Sequence, residues 1–463
     1  MIKESFKYKK LPLLFAVLSL VFYIAFAYDL ERSDFIKFIT LYVGLFFCFY
    51  KIVQTGKSDF MLLAGLAVLM RLVFLPVIPN LSQDFYRFIW DGRLLVQGIN
   101  PYLTTPESHI LAQNFDIVAQ AQELYAGMGN LNGSHYTNYP PLNQLIFAIA
   151  GLFAGKSILG SAIIFRVTML LADIGIIILG KKLLQKLGLP IHHIFWYALN
   201  PFIIIEMTGN LHFEGVMLFF VLGSLYALVT KRWIWSAVLL ACSVSVKLIP
   251  LLFLPLFLQY FLSNAGASKW FHLRENATRI PRLVIYYVIV LATVLLSFLP
   301  FLSGDFAENF GASIALWFQN FEFNASVYYI IRWIGFQTIG WNIIADVGKI
   351  LPLIVIGVLL LLTFLRKNAT AQQLITVMLL GISFYFLLST TVHPWYAATP
   401  LLLCVFTKYR FPLVWSFTIM LSYSAYGVGG FDENLWLVAL EYVTVIGFFI
   451  WEIFSKPSLR LPS

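Results

Sequence analysis

The chain has 463 residues, of which 60% are hydrophobic and only 11% are charged, and its mean hydropathy is +0.83. A water-soluble globule of this composition would expose large apolar patches, so a soluble enzyme is excluded. The net charge of +9 does not indicate a nucleic-acid partner, because the lysines and arginines form short clusters beside apolar runs, as in membrane proteins. The three cysteines lie inside apolar runs without the spacing of a zinc site or a disulfide framework. We therefore expect one integral membrane domain over residues 1–463.

Apolar runs of about 17 to 25 residues, the length of a membrane-crossing helix, recur along the chain. The sequence KYKK at residues 7–10 leads into the first run without a small-residue cleavage site, which predicts a retained helix rather than a signal peptide. The pattern predicts an all-α, polytopic transmembrane helix bundle of about 12 to 14 spans. The candidate spans are 11–28, 35–53, 60–78, 161–180, 191–208, 213–230, 233–249, 250–262, 283–302, 347–365, 372–391, 396–408, 411–428 and 434–454.

The basic clusters fall on one side of this topology, for example at Lys181, Lys182 and Lys186, and the positive-inside rule makes that side cytoplasmic. The stretch 141–155 is too short for a comfortable crossing, and we interpret it as interfacial or re-entrant. Two long loops, 79–160 and 303–346, then lie on the non-cytoplasmic face. Because long loops of ordinary composition are usually functional, we expect the polar chemistry there.

The first long loop opens with SQDFYRFIWDGRLLVQG, which predicts a helix that begins near Asp84 and ends at Gly98. Its apolar residues recur at helical spacing, and this predicts an amphipathic interfacial helix lying along the membrane surface. Asp84, Arg87 and Asp91 share its other face, with the two carboxylates about 10 Å apart along the axis and the guanidinium between them. Two interpretations remain open: a solvated salt-bridge ladder, or a carboxylate that acts as general base for a hydroxyl.

Ionisable residues inside the spans are informative, because a charge in hydrocarbon costs about 2.5 to 3.5 kcal/mol and therefore usually faces water or a partner. Under the predicted topology several of them lie at the non-cytoplasmic ends of their spans, on the face that bears Asp84. Each alone could snorkel or form a structural pair, but their shared side favours one site. These residues are Arg166, Glu206, His212, Glu214, Lys247 and His393.

Six motifs follow one another between residues 84 and 403: DFYRFIWDGRLLVQGINPY, YPPL, NPFIIIEMTGNLHFEG, VKLIP, FNASVYYIIR and HPWYAATPLLL. This ordered set resembles the GT-C superfamily of integral-membrane glycosyltransferases, most closely the catalytic subunit of GPI mannosyltransferase I and related bacterial mannosyltransferases. The resemblance implies a polyprenyl-phosphate sugar donor, a glycan or lipid acceptor, and a bacterial inner membrane location with the active site on the periplasmic face. Where the eukaryotic relatives have D-x-D, this chain has Ser82, Gln83 and Asp84, so only the second acidic position matches, and a divalent cation is left optional.

The hypothesis that results is an inverting glycosyltransferase that moves a single sugar, mannose, to its acceptor. Asp84 is expected to take the proton of the acceptor hydroxyl, with Asp91 as a second carboxylate. Lys247 and Arg332, followed by Arg166 and His393, are expected to stabilise the departing lipid phosphate. The remaining residues expected to bind donor or acceptor are Arg87, Tyr139, His212, Glu214, Asn324 and Tyr396.

Two other classes of protein share some of these features. A secondary transporter also combines many spans with intramembrane charges, but its charges lie near the middle of the bilayer, and no inverted repeat is visible in this sequence. A polysaccharide polymerase or ligase that uses lipid-linked sugars has the same features as a single-sugar transferase, so this alternative stays open. In each case, apolar grooves between the spans are expected to hold membrane lipids.

Overall fold

The computed structural model describes residues 2–262, 279–319 and 321–455, and these ranges are predominantly helical. The first helices are α1 (Ile2–Tyr28), α2 (Phe35–Gly56), α3 (Phe60–Leu72), α4 (Asp84–Val96), α5 (Pro106–Leu111), α6 (Ala121–Ser134) and α7 (Pro141–Ala154). The middle helices are α8 (Ile158–Lys186), α9 (Phe195–Ala198), α10 (Pro201–Ile203), α11 (Glu214–Val229), α12 (Trp233–Val246), α13 (Phe257–Leu262) and α14 (Ile280–Phe298). The last are α15 (Phe306–Gln319), α16 (Val327–Thr338), α17 (Ile344–Leu365), α18 (Ala371–Leu388), α19 (Ala398–Cys404), α20 (Phe411–Thr418) and α21 (Leu435–Ser455).

Short irregular elements interrupt the bundle where prolines and polar residues enter the apolar runs. Two strands, β1 (Tyr426–Gly427) and β2 (Gly430–Phe431), pair antiparallel in a small hairpin. One segment, Ile204–Gly209, is a π-helix, a form that is rare and is frequently found at functional sites. The 3-10 segments are Phe115–Ile117, Ile191–Ile194, Ile249–Leu256, Leu299–Phe301, Pro394–Ala397 and Ile419–Ala425.

The all-α polytopic bundle predicted from the hydropathy is confirmed, but with fewer full-length spans. Within the described ranges, seven helices are long and apolar enough to cross a bilayer, and an eighth apolar segment, Pro201–Gly209 with α11, is bent by 113° as a broken span or a re-entrant loop. Five further apolar helices have only 10–17 residues, among them α3, α7 and α12. Outer positions such as Leu295 and Leu353 are two-thirds exposed, as lipid-facing side chains are when no bilayer is present. The chain is therefore an integral membrane protein.

The helix α4 is present as predicted, but its charged face is buried rather than solvated. It begins at Asp84 and ends at Val96, and Gly98 after it has φ +75, as predicted for the helix stop. However, nine of its thirteen residues are buried, on both faces. The apolar face packs on α7, where the Phe88 and Phe147 rings stack with centroids 4.7 Å apart, and the rest of the first long loop covers the charged face. The amphipathic pattern was thus produced by a polar cluster inside the protein.

Candidate active site

Asp84, the first residue of α4, has one carboxylate oxygen held and one accessible. The side-chain amide of Asn132 donates to its Oδ1 at 3.0 Å, whereas Oδ2 lies 4.0 Å from Nε2 of His212, too far for a direct hydrogen bond. The side chain is 23% exposed. A hydroxyl group that enters between Asp84 and His212 would therefore find an acceptor on one side and an imidazole nitrogen on the other.

His212 is fixed in this position by a second carboxylate and by an aromatic ring. Its Nδ1 lies 3.0 Å from Oε2 of Glu206, and its ring stacks on Trp395 with centroids 3.6 Å apart. Glu206 is fully buried and also accepts from the Tyr423 hydroxyl at 2.8 Å and the Asn210 amide at 3.2 Å. With the carboxylate of Glu206 accepting from Nδ1–H, the second ring nitrogen of His212, Nε2, is left free; in the described ranges it is buried without a hydrogen-bond partner.

The bent apolar segment brings Glu206 and His212 to this point, and Arg166 supports the bend. The π-helix Ile204–Gly209 is followed by Leu211 with φ +65, after which the chain turns into α11. Arg166, 1% exposed, donates to the carbonyls of Thr208 at 3.0 Å and Gly209 at 3.1 Å, and also to those of Leu75 and Val77. Its guanidinium is thus occupied by backbone carbonyls, so Arg166 holds the turn from outside the cluster.

Arg87 and Asp91 form a buried ion pair rather than a solvated ladder. Arg87 Nε donates to Asp91 Oδ1 at 2.8 Å, and the two side chains are 1% and 0% exposed, so the interpretation as a solvated ladder is wrong. Gln144 donates to the other oxygen of Asp91 at 3.0 Å. Arg87 also donates to the carbonyls of Asn132 and His135, at 2.6 and 2.9 Å. The pair therefore anchors the loop that carries Asn132, and both oxygens of Asp91 already accept hydrogen bonds.

Lys247 follows α12 and lies beside Glu214 and Tyr139. Its Nζ is 2.9 Å from Glu214 Oε1 and 5.9 Å from the Tyr139 ring centroid, and 22% of its side chain is exposed. The Tyr139 ring packs edge-on against Phe88 at 4.9 Å. The structure thus brings these three predicted residues together, with the lysine charge already balanced by a carboxylate.

His393 lies in an aromatic stack next to the same cluster. The Trp395 indole lies between the two imidazoles, 3.6 Å from His212 and 4.5 Å from His393, and the Tyr396 ring is 5.5 Å from His393. Burial lowers the pKa of His393 to about 3; the Asp84 carboxylate opposes this shift, whereas charge on His212, Lys247 and Arg32 adds to it. His393 is therefore neutral at physiological pH, so it cannot supply the cationic charge that the sequence analysis expected of it.

Arg332 and Asn324 belong to a neighbouring network. Arg332 pairs with Glu322 and lies 4.2 Å from the Tyr329 ring centroid. The Asn324 backbone N–H donates to Glu433 at 2.6 Å, and its side-chain amide donates to Glu441, 3.2 Å from the nearer oxygen. This network touches the first cluster through Phe323, whose ring lies 5.2 Å from His393.

Several residues of the two networks were not predicted from the sequence. Glu441 lies inside the predicted span 434–454, and the test applied to other intramembrane charges would have found it. Arg32 lies between α1 and α2, in a loop that the predicted topology puts opposite the basic clusters, and this asymmetry is a weak signal. Asn132, Trp395 and Tyr423 had no signal of their own, because amides and aromatic residues are common throughout the chain.

The surroundings of the cluster bear on cofactors and lipids. In the three ranges that the structure describes, no three His, Cys, Asp or Glu side chains are grouped so that they could hold a metal ion. A narrow cleft lies between α17 and α18, lined by apolar side chains such as Leu351 and Val355 and ending at Ser389 and Thr390. It therefore reaches a point only three residues before His393.

These observations define a polytopic membrane protein with a carboxylate-centred polar cluster enclosed by its helices. The family model of the alpha-(1->6)-mannopyranosyltransferase N-terminal domain matches residues 26–263, about half of the chain and the part that carries Arg32, Asp84, His212 and Lys247. The chain belongs to this family, which confirms the resemblance to the GT-C superfamily.

Two relatives carry the name alpha-(1->6)-mannopyranosyltransferase A. The protein of Corynebacterium glutamicum is 25% identical over 186 residues, which cover 38% of this chain and 34% of the relative. The protein of Mycobacterium tuberculosis is 21% identical over 341 residues, which cover 70% of this chain and 61% of the relative. The chain thus matches less than two thirds of the length of either relative.

Proposed function

We propose that this protein is a membrane mannosyltransferase that moves one mannose from a polyprenyl-phosphate donor to a glycan or lipid acceptor. The observation that carries the proposal is the open Asp84 oxygen, which faces a buried imidazole beside cationic groups, in a chain of the alpha-(1->6)-mannopyranosyltransferase family. The names of the relatives supply the sugar. The polyprenyl-phosphate donor follows from the GT-C resemblance and from a polar site enclosed by membrane helices.

In this proposal Asp84 is the general base. The acceptor hydroxyl lies between Asp84 and His212, passes its proton to Asp84, and attacks the anomeric carbon from the side opposite the lipid phosphate, so that configuration inverts. Asn132 orients the carboxylate by holding Oδ1. Glu206 orients His212. The buried pair of Arg87 and Asp91 acts indirectly, because it fixes the loop that carries Asn132.

The departing phosphate gains negative charge and needs donors and cations around it. Lys247, next to Tyr139, acts electrostatically on His393 and is the first candidate among the predicted cations, while Arg332 lies in the neighbouring network. His393 and Tyr396 complete the wall, His393 as a neutral hydrogen-bonding group. The cleft between α17 and α18 is the proposed seat of the lipid tail, since it is apolar and ends near His393.

We further propose that the site faces the non-cytoplasmic side of the membrane, the periplasm in a bacterium. Asp84 belongs to the loop opposite the basic clusters, and the positive-inside rule puts those clusters in the cytoplasm. Nucleotide sugars are held in the cytoplasm, so a donor carried by a membrane lipid fits a site on the other face.

The test is transfer of labelled mannose by purified protein from polyprenyl-phosphate mannose or GDP-mannose, each with and without a chelator. We expect turnover only with the lipid donor, with release of polyprenyl phosphate. Asp84→Asn should lower transfer at least about a hundredfold, because general base catalysis contributes about a hundredfold to ten-thousandfold. Asp116→Asn, an exposed carboxylate of the same loop, is the matched control and should leave transfer unchanged. Turnover with GDP-mannose alone, or near-normal transfer by Asp84→Asn, would contradict the proposal.

A further inference from the structure

The cations around the site differ in whether a carboxylate already balances their charge. Lys247 pairs with Glu214 at 2.9 Å, and Arg87 pairs with Asp91 at 2.8 Å. Arg332 likewise pairs with Glu322. A cation paired in this way binds an incoming anion less strongly, because the anion must compete with the carboxylate.

Among the described residues, no carboxylate lies within ion-pair distance of the Arg32 guanidinium. Arg166 also lacks such a carboxylate, but backbone carbonyls already occupy its guanidinium. The central carbon of the Arg32 guanidinium lies 3.4 Å from the centroid of the Tyr426 ring, and the buried Nε of Arg32 has no hydrogen-bond partner in the described ranges. Stacking on an aromatic face fixes the plane of a guanidinium and leaves its N–H groups, which lie in that plane, available to a ligand. The side chain is thus held in place with an unused donor at Nε.

Arg32 also lies near the cluster that contains Asp84. The Tyr426 ring on which it stacks is 6.0 Å from the ring of Tyr423, whose hydroxyl donates to Glu206. The Tyr426 ring is also 6.0 Å from the ring of Phe323, which lies 5.2 Å from His393.

Arg32 and Asp84 both act on the phenol of Tyr426: burial raises the pKa of Tyr426, the charge of Arg32 and a hydrogen bond with its side chain oppose that rise, and the charges of Asp84 and Glu433 add to it. Arg32 and Lys247 both act electrostatically on His393. Arg32 reaches this cluster from the loop between α1 and α2, and Lys247 reaches it from the end of α12. The two cations therefore approach His393 from different elements.

We propose that Arg32 is the principal cation that binds the phosphate of the lipid donor, an inference that rests on the proposed function. When the acceptor oxygen bonds to the anomeric carbon, the bond from that carbon to the phosphate oxygen breaks, and its electron pair stays on the phosphate. The acceptor's proton passes to Asp84. The phosphate thus changes from a diester to a monoester and gains one negative charge, which the guanidinium of Arg32 stabilises with paired N–H donors.

The test measures binding of polyprenyl phosphate, the product lipid, to purified protein in detergent, so it does not depend on sugar transfer. Arg32→Gln should weaken this binding about tenfold or more, the size of a lost charge-assisted contact. Arg32→Lys, which keeps the charge but not the planar fork, should lose less. Binding of polyprenol, which has no phosphate, should not change. Lys37→Gln is the matched control, since Lys37 lies near the same loop and pairs with Asp29.

The outcomes separate this inference from the proposed function. Unchanged affinity of a folded Arg32→Gln for polyprenyl phosphate would overturn the role of Arg32, even if the native protein transfers mannose. An equal loss of affinity for phosphatidylglycerol would also overturn it, because the residue would then be a general lipid-headgroup contact. Loss of affinity for polyprenyl phosphate alone would support the role of Arg32, whether or not mannose is the sugar. If Arg32→Gln does not fold, Arg32→Lys decides between these outcomes. The measurement is then the loss of its affinity for polyprenyl phosphate relative to the loss of its affinity for phosphatidylglycerol.

Discussion

At the scale of single residues, the site depends on how each polar atom is satisfied. Asp84 and His212 are each held on one side, by Asn132 and by Glu206, and each presents its second polar atom to the other across 4.0 Å. Such a gap is too wide for a hydrogen bond but has the size that a hydroxyl group can bridge. Because Glu206 does not face this gap, it acts through His212 as a positioning residue.

Glu206→Gln should therefore lower kcat of mannose transfer about tenfold or more while leaving KM for the donor nearly unchanged, since His212 loses its fixed orientation beside Asp84. Steady-state kinetics with the lipid donor measures the two parameters separately. Glu206→Asp should recover part of the loss, which a purely structural role of the carboxylate would not require.

The matched control for this variant is Glu452→Gln. Glu452 is also a fully buried glutamate, but its carboxylate accepts from the backbone N–H groups of Arg410 and Phe411, away from the site. The Glu452→Gln variant should have lower thermal stability than the native protein but the same kcat per folded molecule. Equal kcat losses in both variants would show that Glu206 has no specific role.

At the scale of elements, the close approach of α4 and α7 positions Asp84. A Cβ atom on Gly92 would lie 2.1 Å from the carbonyl oxygen of Phe147, and one on Gly151 would lie 2.7 Å from the carbonyl oxygen of Gly92. The two backbones thus touch where neither residue has a side chain. The same contact fixes the positions of Arg87 and Asp91 along the α4 axis relative to Gln144 on α7.

Gly92→Ala should separate the two helices, because the methyl group would meet backbone rather than a flexible side chain, and overpacking of this kind costs about 1 to 3 kcal/mol or more. The expected result is a lower apparent Tm in detergent together with a loss of transfer. Gly65→Ala in α3 is the control, since nothing lies within 4 Å of its added Cβ and alanine favours helix there. A Gly92→Ala protein as stable and active as Gly65→Ala would contradict the role of this contact.

The same elements explain what could be predicted from the sequence. Long apolar helices such as α2, α8 and α17 were predicted because hydropathy accumulates over many residues of one segment. The π-helix Ile204–Gly209 could not be predicted, because it depends on the guanidinium of Arg166, which comes from another helix. The helix at Asp84 was predicted at its two ends, but the carbonyls that cover its charged face come from distant positions, so its burial was missed.

At the scale of the whole molecule, the candidate site is assembled from distant parts of one chain. Arg32, Asp84, His212, Lys247 and His393 span more than 350 positions of sequence and converge through the packing of transmembrane helices. Hydropathy alone predicts where these helices lie along the sequence, but it does not predict that their polar ends meet. The uneven distribution of basic clusters predicted that these polar ends share a side, because it assigned Asp84 and the polar ends of the spans to the non-cytoplasmic face.

That asymmetry can be tested by placing single cysteines at exposed positions on both predicted faces. Asn114→Cys and Glu308→Cys lie in the two long loops, and Lys186→Cys lies in a basic cluster at the end of α8. If the loops face outward, an impermeant thiol reagent should label the first two in intact spheroplasts and Lys186→Cys only after lysis. The native protein gives the background, since Cys48 and Cys404 are buried and Cys242 is half-buried. The reverse pattern would put Asp84 in the cytoplasm, where nucleotide sugars are available, and would remove the need for a lipid-borne donor.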